Sequence, residues 1–231
     1  MFHVAARALS LAGRSGADLC GPFVTAIAVT GAAVTTLGNP LGTQTVCASN
    51  ATAARVDEIQ ADLGEGPCWV AHATGRPVYE PDLQYGSSTD WPIARAAMRE
   101  TGIGAVHAFP LVVGDLRIGS VDLYTDAAGS LTPPQVTDAS ALASIAARQV
   151  LLRAFQEIAR GNPEMADGQY SRREVHQASG MVSVQLGISV EDALVLLQGY
   201  AFGNDRSLRD TARDVVERRL NFNEPPHDGG S

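Results

Sequence analysis

Ala105-Val106-His107-Ala108-Phe109-Pro110-Leu111-Val112-Val113, then Gly114-Asp115, then Leu116-Arg117-Ile118-Gly119-Ser120-Val121-Asp122-Leu123-Tyr124 is the stretch that decides the fold class. Two apolar runs joined by two turn-forming residues read as a β-hairpin, and a hairpin makes its sheet antiparallel. Working backwards, Gly75-Arg76-Pro77-Val78-Tyr79 reads as a turn into a short edge strand. Pro67 is placed to open a helix over Cys68–Ala73, and Gly64-Glu65-Gly66 to stop one over 51–63, whose Ala54, Val56, Ile59 and Leu63 share a side. Further back, Phe23–Val29 and Ala33–Leu37 are rich in β-branched residues and predict a second hairpin around Thr30-Gly31-Ala32. Forwards of the hairpin, Val136, Ala139, Leu142, Ile145 or Ala146, and Val150 recur at helical spacing and predict a long helix over about 135–160. Strands and helices in irregular alternation argue α+β with an antiparallel sheet rather than a doubly wound parallel one.

Gly161-Asn162-Pro163 ends that helix, and the polar run to Gln169 reads as a linker. Three helices are expected next: about 171–186, closed by Gly187; from Ser189 to about Phe202; and from Ser207 to about Leu220. Ser189-Val190-Glu191-Asp192 and Ser207-Leu208-Arg209-Asp210 both have the serine and acid spacing of a helix start. The expected organisation is thus a first domain over 1–160, a linker over 161–169, a small all-α domain over 170–222 and a disordered tail over 223–231.

The chain has 231 residues and a net charge of -8, which excludes a protein that coats nucleic acid by charge alone. Its 17 basic residues are all arginine, and they are unevenly spread. Residues 1–169 hold ten arginines against sixteen acids, whereas 170–222 hold seven of each, with Arg206, Arg209, Arg213, Arg218 and Arg219 clustered at the end. The uncharged stretch between Asp18 and Arg55 is broken by glycines, Pro40 and threonines, and is not read as a membrane span. The three cysteines, Cys20, Cys47 and Cys68, lack metal-ligand spacing, and no secretory signal opens the chain; reduced thiols in a cytoplasmic protein are the expectation.

Cys68 has two readings, a reactive thiol at a helix N-terminus or a small buried residue beside Trp69; no second Cys lies nearby in sequence, which favours the second. His107 and Asp122 sit among apolar residues on the central strands, so each is hydrogen-bonded in the core or faces a ligand. With Trp69, Trp91, Phe109 and Tyr124 they form the candidate ligand pocket. No catalytic triad, phosphate-binding glycine loop or metal spacing is present, so no catalytic residue, cofactor or metal is expected. In the last helix Arg209 and Arg213 lie four apart on one face, with Arg206 just before; a solvated face and a nucleic-acid contact are both open readings.

Residues 51–125 resemble a GAF domain of the actinobacterial regulator kind, through Leu63-Gly64-Glu65-Gly66-Pro67-Cys68, Gly75-Arg76-Pro77-Val78, Asp90-Trp91-Pro92, Ala108-Phe109-Pro110-Leu111 and Ile118-Gly119-Ser120-Val121-Asp122-Leu123-Tyr124. Residues 172–220 resemble an ANTAR domain, through Val175-His176-Gln177-Ala178-Ser179-Gly180-Met181-Val182, Ile188-Ser189-Val190-Glu191-Asp192-Ala193, Leu197, Tyr200-Ala201 and Ser207-Leu208-Arg209-Asp210-Thr211-Ala212. The first resemblance implies a sheet between helices that holds a small-molecule ligand. The second implies binding of paired RNA stem-loops in nascent message and prevention of transcription termination. Ser179 stands where that family usually carries lysine. The RNA-binding candidates are Arg172, Arg173, His176, Gln177, Ser179, Arg206 and Arg209, polar residues expected at the surface near the motif. Two stem-loops are met by two copies of the domain, so a homodimer is expected, with Leu151, Leu152 and Phe155 of the long helix as its apolar contact. A DNA-binding helical regulator is the alternative reading, and a cysteine-dependent methionine sulfoxide reductase of the GAF type a further one.

Overall fold

A computed structural model describes residues 1–12, 17–38, 40–159, 173–204 and 206–223, with the backbone alone at 158 and 173. The expected linker at 161–169, with Gly161-Asn162-Pro163, and the tail from 224 lie outside the described residues. The chain divides into two compact units at residue 170.

The first unit runs α1 (Phe2–Leu11), α2 (Gly21–Ile27), β1 (Gly31–Thr36), β2 (Gln44–Ala48), α3 (Ala51–Leu63), α4 (Pro67–Thr74), β3 (Val78–Glu80), α5 (Pro92–Arg99), β4 (Ala105–Val113), β5 (Leu116–Thr125) and α6 (Pro133–Ala159). Its strands form one sheet in the order β2-β1-β5-β4-β3, every neighbouring pair antiparallel. Side chains alternate across a strand, so each face carries its own core. Phe109, Leu111, Val121 and Leu123 pack with Leu9, Phe23, Ile27, Leu142 and Ala146 of α1, α2 and α6. Val106 and Tyr124 pack on the opposite face with Val56, Ile59 and Met98 of α3 and α5. Gly119 lets the central strands close up: a Cβ there would lie 1.9 Å from the Thr35 carbonyl oxygen of β1.

Two expectations are corrected. Phe23–Val29 is not a strand; it lies mostly in α2. The Asp18 carboxylate accepts the backbone N–H of Cys20 and Gly21 at 2.8 and 3.0 Å, Pro22 occupies the first turn, and Phe23 and Ile27, four apart, are both buried. Capping and a shared buried face override β propensity here. β1 pairs instead with β2, which follows it. The thiols of Cys20 and Cys47 are joined as a disulfide, tying the start of α2 to edge strand β2. α1 and α5 were not foreseen from the sequence.

The second unit is α7 (Arg173–Leu186), α8 (Val190–Gly203) and α9 (Leu208–Val216) around Val175, Ala178, Val182, Ala193, Leu197, Ala201, Leu208, Ala212 and Val215. The two serine caps form as the spacing predicts: Ser189 Oγ accepts the Asp192 N–H and Ser207 Oγ the Asp210 N–H, each at 3.0 Å. α9 stops earlier than expected. Arg218 adopts a left-handed backbone, and the N–H groups of Arg219 and Leu220 both donate to the Asp214 carbonyl, so the chain hooks back. Leu220 and Phe222 then pack on the helical core. Among the described residues no single helix is long and apolar enough to cross a membrane.

Candidate functional site

In the sheet unit, the face toward α3 and α4 holds a buried polar network. Asp122 accepts the Gln60 side-chain amide on one oxygen and the Ser120 hydroxyl on the other. Gln60 Oε1 takes the Cys68 backbone N–H at 3.0 Å, and the Trp69 indole N–H donates to the Gln60 carbonyl at 2.8 Å, so one glutamine ties α3, α4 and β5 together. Three residues earlier on the same helix face, Asp57 accepts the hydroxyls of Thr35 and Thr45. Burial first, and the charge of Asp57 second, push the Asp122 carboxyl up to about 7. Burial also pushes the Cys68 thiol well up, with Asp122 and Asp57 adding to it. A thiol held protonated is a poor nucleophile.

Four of the six candidate ligand residues divide between the two faces of the sheet. His107 and Phe109 point to the α6 side of the sheet, Asp122 and Tyr124 to the α3 side, because a bulge between Leu111 and Val112 shifts the β4–β5 register. The Tyr124 hydroxyl donates to Asn50 at 3.0 Å, and the Trp69 indole nitrogen is already engaged. His107 is buried with Nε2 3.2 Å from the Gly129 carbonyl oxygen, its other ring nitrogen makes no hydrogen bond among the described residues, and burial lowers its pKa. Of the six, Trp91 alone borders the groove of about 610 Å³ beside edge strand β3, with Val70, Tyr79, Asp82 and Asp90. Its wall is fixed by a buried ion pair, Arg95 with Glu80, whose guanidinium also donates to the carbonyls of Asp82 and Gly86. Glu65 of the Gly-Glu-Gly segment accepts the Ile93 and Ala94 N–H groups at the start of α5, a favourable place for a carboxylate. Sequence reasoning missed Asp57 and Gln60, although their spacing puts both on one face of α3.

In the helical unit, His176 and Gln177 are exposed as expected. Ser179 is not: it is 2% exposed, facing the core between helices, and its hydroxyl donates to the Val175 carbonyl at 2.8 Å. The helix turn that presents Gln177 outward turns position 179 inward, so Ser179 is no surface contact. Arg172 lies outside the described residues, and Arg173 is the first residue of α7. Arg206, Arg209, Arg213 and Arg219 form a lattice with acids. Arg206 pairs with Asp214, Arg209 and Arg213 with Glu174, Arg213 also with Asp210, and Arg219 with Asp214 and Glu217. Hydrogen bonds from Arg206 and then Arg219 hold the Asp214 carboxyl below its ordinary range.

Sheet, helical layers and edge groove define the first unit as a sensor-type α+β domain, and the second as a small helical domain with an arginine-bearing end. A GAF domain model matches residues 4–149 and an ANTAR domain model residues 169–216. The chain belongs to the GAF domain family and carries an ANTAR domain behind it. GAF domains are sensors, and ANTAR domains are RNA-binding antiterminators. No curated protein matches the sequence. Solved structures similar to the chain include a domain of a sensor histidine kinase from Sinorhizobium meliloti 1021, 19% identical over 61% of this chain and 90% of that one, with a TM-score of 0.44. Others are a GAF domain region of a membrane protein from Geobacter sulfurreducens PCA (18%; 54% and 82%; 0.42) and a type II free methionine-R-sulfoxide reductase from Thermoplasma acidophilum (16%; 53% and 79%; 0.37).

Proposed function

We propose that the chain is a cytoplasmic RNA-binding regulator of transcription antitermination, its ANTAR unit taking stem-loops of nascent message under control of a small ligand sensed by the GAF unit. The observation that carries this reading is the pairing of the two family matches with an arginine end on the second unit. The arginines are held in place by acids, which leaves little net field. Such a surface suits a few phosphate contacts beside a loop and does not suit duplex coating. The groove at Trp91 is the natural seat for the sensed ligand.

One observation favours duplex DNA instead. α7 and α8 meet at 105° across a short turn at Gly187, the geometry of a helix-turn-helix. The outer face of α8, however, carries Glu191, Asp192, Val195 and Phe202 and no arginine, and is ill suited to a major groove. Catalysis by Cys68 is disfavoured in this reading, because the thiol is buried and Cys20 and Cys47 already hold each other.

Titration of hairpin RNA and duplex DNA against salt separates the readings. Tighter binding to the hairpin is expected, with a shallow salt slope. Replacing Arg206 and Arg209 by Ala should weaken the hairpin complex by roughly fivefold or more, and Ser179→Ala should leave it unchanged. Preference for duplex DNA would overturn the proposal.

A further inference from the structure

The hook after α9 creates a second feature that the arginine lattice does not explain. Between α7 and residues 218–221 runs a groove of about 730 Å³, within the usual range for small-ligand pockets. Gln177, Met181 and Gln185 line it from α7 at intervals of four residues, one continuous helix stripe. The Gln177 side chain makes no hydrogen bond to another described residue. Gln185 uses its oxygen to accept the Phe222 N–H at 3.3 Å, which fixes the far wall and leaves its amide hydrogens directed elsewhere. Arg219 is held by Asp214 and Glu217, so its guanidinium is a fixed plane, whereas Arg218 has no acid partner among the described residues. Gly180 forms part of the lining, and a Cβ added there would meet no atom within 4 Å.

These groups match what an unpaired nucleobase requires. Carboxamides carry donor and acceptor together and can read a base edge; Met181 and a guanidinium plane offer surfaces to stack on; Arg218 offers charge to the adjoining phosphate. Resting on the RNA-binding reading above, we propose that this groove is where an unpaired base of the RNA loop is read, with Gln177 and Gln185 at its edge and Arg218 on its phosphate. The paired arginines at 206, 209 and 213 then serve the stem backbone.

The test uses the full chain and a pool of hairpin RNAs with randomised loops. Gly180→Leu fills the groove and replaces a poor helix former by a good one, so folding is not put at risk. It should lower hairpin affinity by about tenfold or more, with a melting temperature equal to or above that of the unmodified protein. Arg218→Ala should weaken binding to all loops alike. Gln177→Ala with Gln185→Ala should instead broaden the set of loops selected from the pool. Unmodified affinity and selection in all of these, while the Arg206 and Arg209 double variant still loses binding, would overturn the groove and leave RNA binding standing. A change of oligomeric state in Gly180→Leu without a change in RNA affinity would also overturn it, by assigning the groove to a second copy. Failure of the unmodified protein to bind any hairpin would sink both readings.

Discussion

Asp122 shows how one residue couples burial to pH. Its carboxyl ionises near 7 in the folded protein, while in the unfolded chain it ionises near an ordinary aspartate value. Between about pH 4 and 7 the folded state keeps a proton that the unfolded state has lost. Stability from this group is therefore present at low pH and falls as pH rises through that window, by roughly 1.4 kcal/mol per pH unit at most. Asp122→Asn, which stays neutral, should flatten that dependence and be relatively stabilised at pH 8. Urea midpoints at pH 5 and 8 measure it; equal pH dependence in both proteins would show that the carboxyl is already ionised when folded. Ser179 carries a different lesson. Its polarity suggested the surface, but a single serine can satisfy itself on the preceding helix turn and enter a core.

Two devices decide what the elements can do. The first is the bulge in the central hairpin. Continued without interruption, the pairing of Val113 with Leu116 would set His107 opposite Asp122; the extra residue at Ile118 sets Ala108 there instead and sends His107 to the other face. The second is the disulfide between α2 and β2. β2 is an edge strand, and its Thr45 supplies one of the hydroxyls on buried Asp57, so the bridge restrains a strand that completes the polar network. Closing a sequence separation of 27 residues stabilises by about 3.5 kcal/mol on chain-entropy grounds. Cys20→Ser with Cys47→Ser should lower stability by that order, seen as an earlier urea midpoint. The same midpoint in oxidised and dithiol-treated protein would show that the bridge contributes nothing.

At the scale of the whole molecule, the first unit leaves apolar surface open on two helices packed beside each other. Leu152 and Phe155 of α6 are 49% and 59% exposed, and Val4 and Leu11 of α1 more so, whereas Leu151 packs on its own core. Such a patch is where a second copy is expected. Light scattering of the full chain at micromolar concentration should give a dimer, and Leu152→Glu with Phe155→Glu a monomer. A monomeric unmodified protein would remove the dimer from the account of RNA binding.

What the sequence determined by itself was set by neighbours along the chain. The Ser189 and Ser207 caps, the helix over 51–63, the long helix of α6 and the central hairpin follow from capping, periodicity and turn residues within a few positions. Tertiary structure alone decided the rest. α2 is helical because Phe23 and Ile27 find a core beneath them, and Cys20 meets Cys47 because that helix lands beside β2. The candidate pocket residues fall on two faces of the sheet because one bulge reassigns them, and the groove beside α7 exists because residues after α9 return to pack on that helix. Each of these depends on contacts between residues far apart in sequence, and their energies do not register in any local pattern.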